Sequence, residues 1–232
     1  MERGRRTPPY GHLARLTRPF PDFDPPFIRP IRQKAVELLC LKEADRVLDV
    51  GCGLGGSFPY LVQAVGPSGQ VVGVEISPEI GKNARRRIER NGWRNVQVIE
   101  ASAQDVDLTG SFDGLVMFAA PDVYASDTAL GNIFPHLKAT AHVAAFGAKL
   151  SSNRWGQVLN PFLKALFNLS FSTTPRPDLE PWRILADRVE NLKIEEYYLG
   201  LMFLASGRAA ARGPHRERGS SELHSKPMEV AQ

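Results

Sequence analysis

The sequence has little cysteine and no long apolar run, and its middle part has no excess of basic residues. Its two cysteines, Cys40 and Cys52, are too few for a disulfide framework or a thiolate zinc site. No run of about 18 apolar residues is present, so we expect no membrane-spanning helix. The first residues are rich in Arg but lack the apolar segment of a secretory signal. We therefore expect a cytoplasmic protein without a bound metal.

Basic residues are concentrated at the two ends of the chain. Residues 1–30 hold six Arg against three acids, and residues 207–232 hold five basic residues against three acids. Residues 31–206 hold eighteen basic and nineteen acidic residues. A nucleic-acid groove needs positive charge clustered on the folded part, so we expect no nucleic-acid partner. We interpret residues 1–29 as a Pro/Arg-rich arm and residues 208–232 as a disordered tail.

Between the ends, short apolar runs alternate with amphipathic segments. The predicted strands are 46–50, 70–74, 96–100, 112–118 and 142–146, with two more hinged near Gly200 within 192–207. The first predicted helix begins at residue 30, and the other predicted helices cover 57–65, 77–90, 125–137 and 181–188. Alternating strands and helices, with strands that are apolar throughout, are typical of a parallel sheet covered on both faces. We predict an α/β, doubly wound fold of about seven strands.

The segment VLDVGCGLGGS joins the first predicted strand to the next helix. Gly51, Gly53 and Gly56 form a G-x-G-x-x-G pattern, in which the backbone turns sharply and approaches a ligand. Glu75 closes the second strand, where a carboxylate can accept both hydroxyls of a ribose. Asp49 would repel a pyrophosphate in this position but attract a cation. The pattern therefore indicates a nucleoside with positive charge, such as S-adenosylmethionine, rather than a nicotinamide dinucleotide.

Four segments resemble successive motifs of class I S-adenosylmethionine-dependent methyltransferases. They are VLDVGCGLGG, VVGVEIS (71–77), NVQVIEASAQDV (95–106) and FDGLVMFAAPDVY (112–124). The resemblance covers about residues 30–207, which we take as one methyltransferase domain. It implies a Rossmann-like, mostly parallel sheet with an antiparallel last strand, S-adenosylmethionine as cofactor and S-adenosylhomocysteine as product. The chain looks most similar to the small-molecule branch that includes quinone-ring and phospholipid methyltransferases.

The resemblance also implies which residues hold the cofactor. They are the main chain of Gly51, Cys52 and Gly53 along the methionine and ribose, Asp49 near the amino-acid moiety, Glu75 at the ribose hydroxyls, Ile76 on the adenine, Ser102 and Ala103 at the adenine edge, and Phe118 and Ala119 beside the methyl donor. The family commonly has Asp where this chain has Ser102. A Ser hydroxyl can also accept a hydrogen bond from the adenine amino group, but without charge assistance.

A general base is needed only if the acceptor arrives protonated, because the sulfonium already activates the methyl group. The candidates are Asp122 and Tyr124 after the fourth strand, with His136 and His142 further along the chain. Each has another interpretation. Asp122 can cap a helix, Tyr124 can be a pocket wall, and His136 can face solvent.

Residues 155–180 form an apolar insertion after the fifth strand. Its large apolar side chains recur near helical spacing at Trp155, Leu159, Phe162, Leu163, Leu166 and Phe167. The insertion predicts either an apolar lid, which suggests an apolar acceptor or a contact with the membrane surface, or a helix packed as core. We expect methyl transfer to a small, lipophilic or lipid acceptor. The alternatives are a nicotinamide-dependent oxidoreductase and a non-catalytic domain that binds S-adenosylmethionine; the oligomeric state stays open.

Overall fold

The computed structural model describes residues 26–164 and 178–210. Within them, seven strands form one sheet in the order β3-β2-β1-β4-β5-β7-β6. The strands are β1 (Arg46–Val50), β2 (Gln70–Glu75), β3 (Val96–Glu100), β4 (Phe112–Phe118), β5 (Leu137–Ala148), β6 (Val189–Tyr197) and β7 (Met202–Ala209). β7 runs antiparallel to both of its neighbours, and the other neighbouring strands are parallel. The predicted fold class, with an antiparallel last strand, is confirmed.

Helices cover both faces of this sheet, and each face has its own core. One face carries α1 (Arg29–Glu37), α2 (Phe58–Val65) and α3 (Pro78–Asn91). The other carries α4 (Pro121–Tyr124), α5 (Asp127–Ile133) and α6 (Arg183–Ala186). Two 3₁₀ turns lie at Phe134–His136 and Gly156–Leu159, and the described residues 160–164 after the second turn are α-helical. Because the strands are covered on both sides, their apolar residues follow one another without alternation.

Local signals set the ends of α3. The Ser77 hydroxyl accepts a hydrogen bond from the Ile80 N–H at 3.4 Å, and Pro78 occupies the first turn. Gly92 ends the helix in the left-handed conformation, with φ of 66°. These are the residues that predicted the helix, and its observed ends lie within one residue of the prediction.

The predicted helix over residues 125–137 is wrong in its bounds. The Ser126 hydroxyl accepts from the Ala129 N–H at 3.2 Å and so caps α5, separating it from the short α4. Pro135 lies in a 3₁₀ turn, and Leu137 already belongs to β5, where it pairs with Phe112. The fifth strand is therefore longer than predicted at both ends.

The chain ends and part of the insertion lie outside the described residues. They include most of the predicted arm, most of the predicted tail, and Leu166 and Phe167. The described structure extends slightly beyond the predicted domain, since α1 begins at Arg29 and β7 ends at Ala209. In the described ranges, no helix has the length and apolar character needed to cross a membrane.

Candidate active site

The glycine loop after β1 is held by hydrogen bonds from its own N–H groups. The N–H groups of Gly51 and Cys52 both donate to the Val74 carbonyl, at 2.8 and 3.1 Å. The Gly53 N–H donates to Glu75 Oε2 at 3.0 Å. These three donors are thus occupied within the protein. A phosphate needs free N–H donors in such a loop, whereas a cationic ligand does not.

Glu75 links the end of β2 to this loop. Its Oε1 accepts from the Ser77 N–H at 2.8 Å, while Oε2 accepts from Gly53. Burial raises the pKa of Glu75, although these backbone donors lower it and the charge of Asp122 raises it further. Each carboxylate oxygen can accept a second hydrogen bond. The geometry therefore fits the ribose contact that the sequence predicts for Glu75.

Gly51 and Gly53 are required for different reasons. Both have positive φ, at 72° and 56°. A Cβ added to Gly51 would lie 2.6 Å from the Cβ of Ala120, so this glycine lets the loops after β1 and β4 approach each other. In the described part of the chain, no atom beyond its chain neighbours lies within 4 Å of a Cβ built on Gly53. The space beside Gly53 is open to a ligand.

The Cys52 side chain points into the core. A Cβ on Gly73 would meet its Sγ at 2.9 Å, and burial raises the pKa of the thiol well above its usual range. Cys52 can contribute its main chain to a ligand site, as predicted, but its thiol is packed away.

Asp49 is a buried acid whose carboxylate oxygens accept no hydrogen bond of normal geometry from the described residues, although the Arg32 charge and the Ser57 hydroxyl lie close enough to lower its pKa. It lies in the middle of β1, between Gly73 of β2 and Val116 of β4, and is 1% exposed. Among the described residues, neither of its carboxylate oxygens has a hydrogen-bond partner. Burial raises the pKa of Asp49 to about 7, against the opposing effect of the Arg32 charge. Such a group has high energy as an anion unless a cation or donor reaches it, so the site fits a positively charged ligand.

The chain is similar to known methyltransferases in sequence and in fold. Residues 47–140 match the family described as "Methyltransferase domain". Protein-L-isoaspartate O-methyltransferase 2 of Archaeoglobus fulgidus is 37% identical over 89 residues, which are 38% of this chain and 41% of the relative. A 23S rRNA (uracil(1939)-C(5))-methyltransferase of Acinetobacter baumannii is 44% identical over 80 residues, 34% of this chain and 16% of the relative. The chain thus matches less than half of either relative.

A solved structure shows the same fold over more of the chain. The crystal structure of a SAM-dependent methyltransferase from Aquifex aeolicus superposes with a TM-score of 0.62 and 20% identity, covering 85% of this chain and 98% of that one. Residues 47–140 are a methyltransferase domain. The predicted membership in the class I S-adenosylmethionine-dependent methyltransferases is confirmed for this domain, and with it S-adenosylmethionine as the domain's cofactor.

The site also has a cation that was not predicted from the sequence. The Arg32 guanidinium of α1 lies 3.9 Å from the centroid of the Phe118 ring, and its Nη1 donates to Ser57 Oγ at 3.2 Å. Phe118 in turn stacks on Phe146, with centroids 4.3 Å apart. Arg32 therefore lies beside the wall that Phe118 and Ala119 are predicted to form. No motif marks Arg32, because α1 precedes the domain's first strand.

The predicted adenine contacts lie at the ends of neighbouring strands. Ile76 directly follows β2 and is 42% exposed, which leaves its side chain free to pack on a ring. The Ala101 N–H donates to the Glu75 carbonyl at 3.1 Å, which places Ser102 and Ala103 beside the end of β2. The Ser102 hydroxyl accepts from the Gln104 N–H at 3.2 Å. The roles of Ile76, Ser102 and Ala103 stay predictions.

The position of Tyr124 argues against its use as a base. The residue is 1% exposed, its ring packs edge-on against Phe203 at 5.5 Å, and its hydroxyl lies against Gly147. Burial, and secondarily the charge of Asp122, raises the pKa of this phenol far above its usual range. Tyr124 is a core residue under the site.

Asp122 is the remaining candidate at the site. It lies half-buried in the first turn of α4, at the carboxyl end of β4, close enough for its charge to raise the pKa of Glu75. His136 lies just before the amino end of β5, and His142 lies midway along β5, level with Gly114 in the first half of β4. Their position does not favour a role in methyl transfer.

A buried lysine marks the end of β5. Lys149 is 2% exposed, its Nζ forms an ion pair with Glu196 Oε1, and it lies 5.6 Å from the centroid of the Trp182 ring. Trp182 contacts Phe203, with centroids 4.9 Å apart. This aromatic wall with one cation was not predicted, since its members lie far apart in the sequence. It adjoins Tyr124, whose ring packs on Phe203.

Proposed function

We propose that the protein transfers a methyl group from S-adenosylmethionine to a small, lipophilic acceptor. The observation that carries the donor half is the buried carboxylate of Asp49, whose oxygens accept no hydrogen bond among the described residues, beside the Gly51, Cys52 and Gly53 N–H groups, which are occupied within the protein. An ammonium or sulfonium group would satisfy this carboxylate, and a pyrophosphate would not. This difference disfavours the nicotinamide-dependent alternative.

The chain's own residues position the reactants. When bound, S-adenosylmethionine supplies a methyl group already activated by the sulfonium. Glu75 accepts hydrogen bonds from the ribose, Asp49 faces the cationic portion, and Phe118 closes the wall behind it. Alignment and exclusion of water then account for most of the rate. If the acceptor carries a proton, Asp122 is the group placed to receive it.

The lipophilic character of the acceptor is inferred from the carboxyl edge of the sheet. Trp182 is half-buried there and packs on the fully buried Phe203, and the described part of the insertion presents Trp155 and Phe162 to solvent. The exposure of Phe162 supports a lid or contact role over the core alternative. The relatives that methylate protein or rRNA match over only 89 and 80 residues of this chain, and residues 31–206 lack the excess of positive charge that RNA requires.

We also infer a reducing compartment such as the cytoplasm. Cys40 is exposed and neither cysteine forms a disulfide. An exposed free thiol is typical of such a compartment.

The test has a binding arm and a transfer arm. In the binding arm, calorimetry compares S-adenosylhomocysteine with NADH; we expect binding of the first and none of the second. In the transfer arm, the protein is incubated with labelled S-adenosylmethionine and a fractionated lipid and metabolite extract, with Glu75→Ala as the control. Label should appear in an apolar fraction. Binding without transfer to any fraction would favour the non-catalytic alternative, and label in RNA or protein alone would refute the acceptor class.

A further inference from the structure

We propose that an apolar tip at the carboxyl edge of the sheet docks on a membrane surface containing anionic phospholipid. The tip consists of Trp155, Val158 and Phe162 of the insertion, Tyr198 and Leu199 of the β6–β7 turn, and Phe27 before α1. This inference goes beyond the proposed methyl transfer and does not depend on it.

The side chains of the tip are far more exposed than large apolar residues usually are. Trp155, Val158 and Phe162 are 74%, 75% and 71% exposed, and Phe27 and Leu199 are each more than half exposed. Single exposed apolar residues need no explanation, but a group of them marks a contact surface.

Contacts between the three segments make them one surface. The Tyr198 hydroxyl donates to the Phe27 carbonyl at 2.5 Å, and the two rings pack edge-on at 5.9 Å. The Ser151 hydroxyl donates to the Leu199 carbonyl at 2.5 Å, and Gly156 lies against that same carbonyl. The start of the insertion is thereby attached to the turn that presents Tyr198 and Leu199.

The backbone of the turn holds its apolar side chains in an unfavourable conformation. Tyr198 and Leu199 have φ of 51° and 59°, and Gly200 follows with 76°. Residues with a Cβ rarely adopt this region, and such strain is concentrated at functional sites. Gly or Asn would suit both positions better if only a turn were needed. Large apolar residues there are consistent with a surface that binds.

Exposed charges around the tip are mainly positive. Arg29, Arg154 and Lys164 are exposed and lie within two residues of Phe27, Trp155 and Phe162 respectively. The exposed Asp178 is an acid on the same side, since its carbonyl accepts from the Leu150 N–H at 2.8 Å. Aromatic side chains flanked by Arg and Lys are typical of surfaces that lie in the interfacial region of a bilayer.

The acids at the end of β6 are neutralised by partners. Glu195 forms an ion pair with Lys34 at 2.5 Å, and Glu196 pairs with Lys149. They therefore do little to offset the positive charge at this edge.

Two segments that adjoin the tip in the sequence are also basic or apolar in composition. Residues 1–25 join the described structure next to Phe27, and they hold five Arg against three acids. Residues 165–177, which follow directly on the insertion's described part, contain two Phe, two Leu and one Arg, without an acid. Both compositions suit an anionic lipid surface better than a second copy of this chain, which would bring like charges together.

Docking at this edge would also deliver the acceptor. The tip and the candidate site share the carboxyl edge of the sheet, so a lipophilic acceptor could pass from the bilayer to the site without crossing water. This consequence rests on the proposed function; the docking itself does not.

Vesicle co-sedimentation of the full chain tests the proposal. We expect binding to vesicles of phosphatidylcholine with phosphatidylglycerol, much weaker binding to phosphatidylcholine alone, and loss of binding in high salt. Replacing Trp155 and Phe162 together with Ser should lower the partition coefficient at least about ten-fold, since each contributes a large apolar surface to the bilayer. Brominated phospholipid should quench tryptophan fluorescence in the wild type, and much less in Trp155→Ser.

A matched charge pair and a binding control complete the design. Lys164→Glu should weaken vesicle binding about ten-fold, while Lys82→Glu, which changes the net charge equally on the exposed side of α3, should have little effect. The Ser double variant should keep the melting temperature and the affinity for S-adenosylhomocysteine. Unchanged vesicle binding in that variant, or equal loss in both Glu variants, would overturn the proposal. So would a concentration-dependent dimer that the double variant abolishes. Vesicle binding without methyl transfer would leave this inference standing and refute the proposed function.

Discussion

Replacing Asp49 with Asn should stabilise the free protein at neutral pH and weaken binding of the cofactor. Asn keeps the shape of the side chain but removes its charge. The residue is buried, and its oxygens accept no hydrogen bond among the described residues, so its charge is costly until a ligand arrives. The two effects have opposite signs, which separates a binding role from a structural one.

The stability effect follows from the pKa of Asp49, which burial raises from 3.8 to about 7. Between about pH 4 and 7, the folded protein keeps a proton that the unfolded chain has lost. The free energy of unfolding therefore falls as the pH rises through this window and becomes level above it. The shift of about three units corresponds to at most about 4 kcal/mol. The Asp49→Asn substitution removes this loss. The variant's gain in the free energy of unfolding should therefore approach that limit near pH 8 and vanish near pH 4.

The binding effect has the opposite dependence on pH. A cationic ligand needs the ionised carboxylate, so the affinity of the wild type should fall about ten-fold for each pH unit below 7. Near pH 7, binding should release about half a proton from Asp49. In Asp49→Asn the affinity should be lower and independent of pH over the same window.

Two measurements check the effects of Asp49→Asn on stability and on binding. Thermal melts of both proteins from about pH 4 to 8 give the stability difference. Titration calorimetry with S-adenosylmethionine, which carries both the ammonium and the sulfonium group, in buffers of different ionisation enthalpy, gives the affinity and the proton release. Affinity that is flat from about pH 5 to 8 in the wild type would refute the reasoning, as would an Asn variant that binds equally well.

The remaining predictions concern the glycine loop and Tyr124. Glu75→Ala removes the acceptor of the Gly53 N–H and should weaken S-adenosylhomocysteine binding about ten- to a hundred-fold by calorimetry. The affinity of Glu75→Gln should lie between those of the wild type and Glu75→Ala. Gly51→Ala, whose Cβ would meet that of Ala120 at 2.6 Å, should lower the melting temperature more than Gly53→Ala does. Gly53→Val should abolish binding with the fold retained, and normal binding would show that the open space is not the ligand site. The Tyr124→Phe variant should keep most of the methyl-transfer activity of the wild type. A loss of a hundred-fold or more would show that the phenol acts as the general base.

Much of the fold and the position of the cofactor loop can be predicted from the sequence. The ends of β1, β3 and β4 are as predicted, because each is a short segment rich in apolar residues between polar or turn residues. The glycine spacing and Glu75 could also be recognised, since a sharp turn and a strand-end carboxylate are local patterns. Where local signals are weak, as between Ala125 and Leu137, the predicted bounds are wrong.

Only the tertiary structure decided which residues distant in the sequence contact one another at the site. Arg32 reaches Ser57 across 25 residues, and Lys149 reaches Glu196 across 47. The burial that raises the pKa of Asp49 and removes Tyr124 from solvent comes from strands and helices packed around them. Sequence patterns report which residues face inward on one element, because periodicity is a property of that element. Which two elements bring a cation to an acid, or an apolar side chain to the surface, depends on contacts between residues distant in the chain.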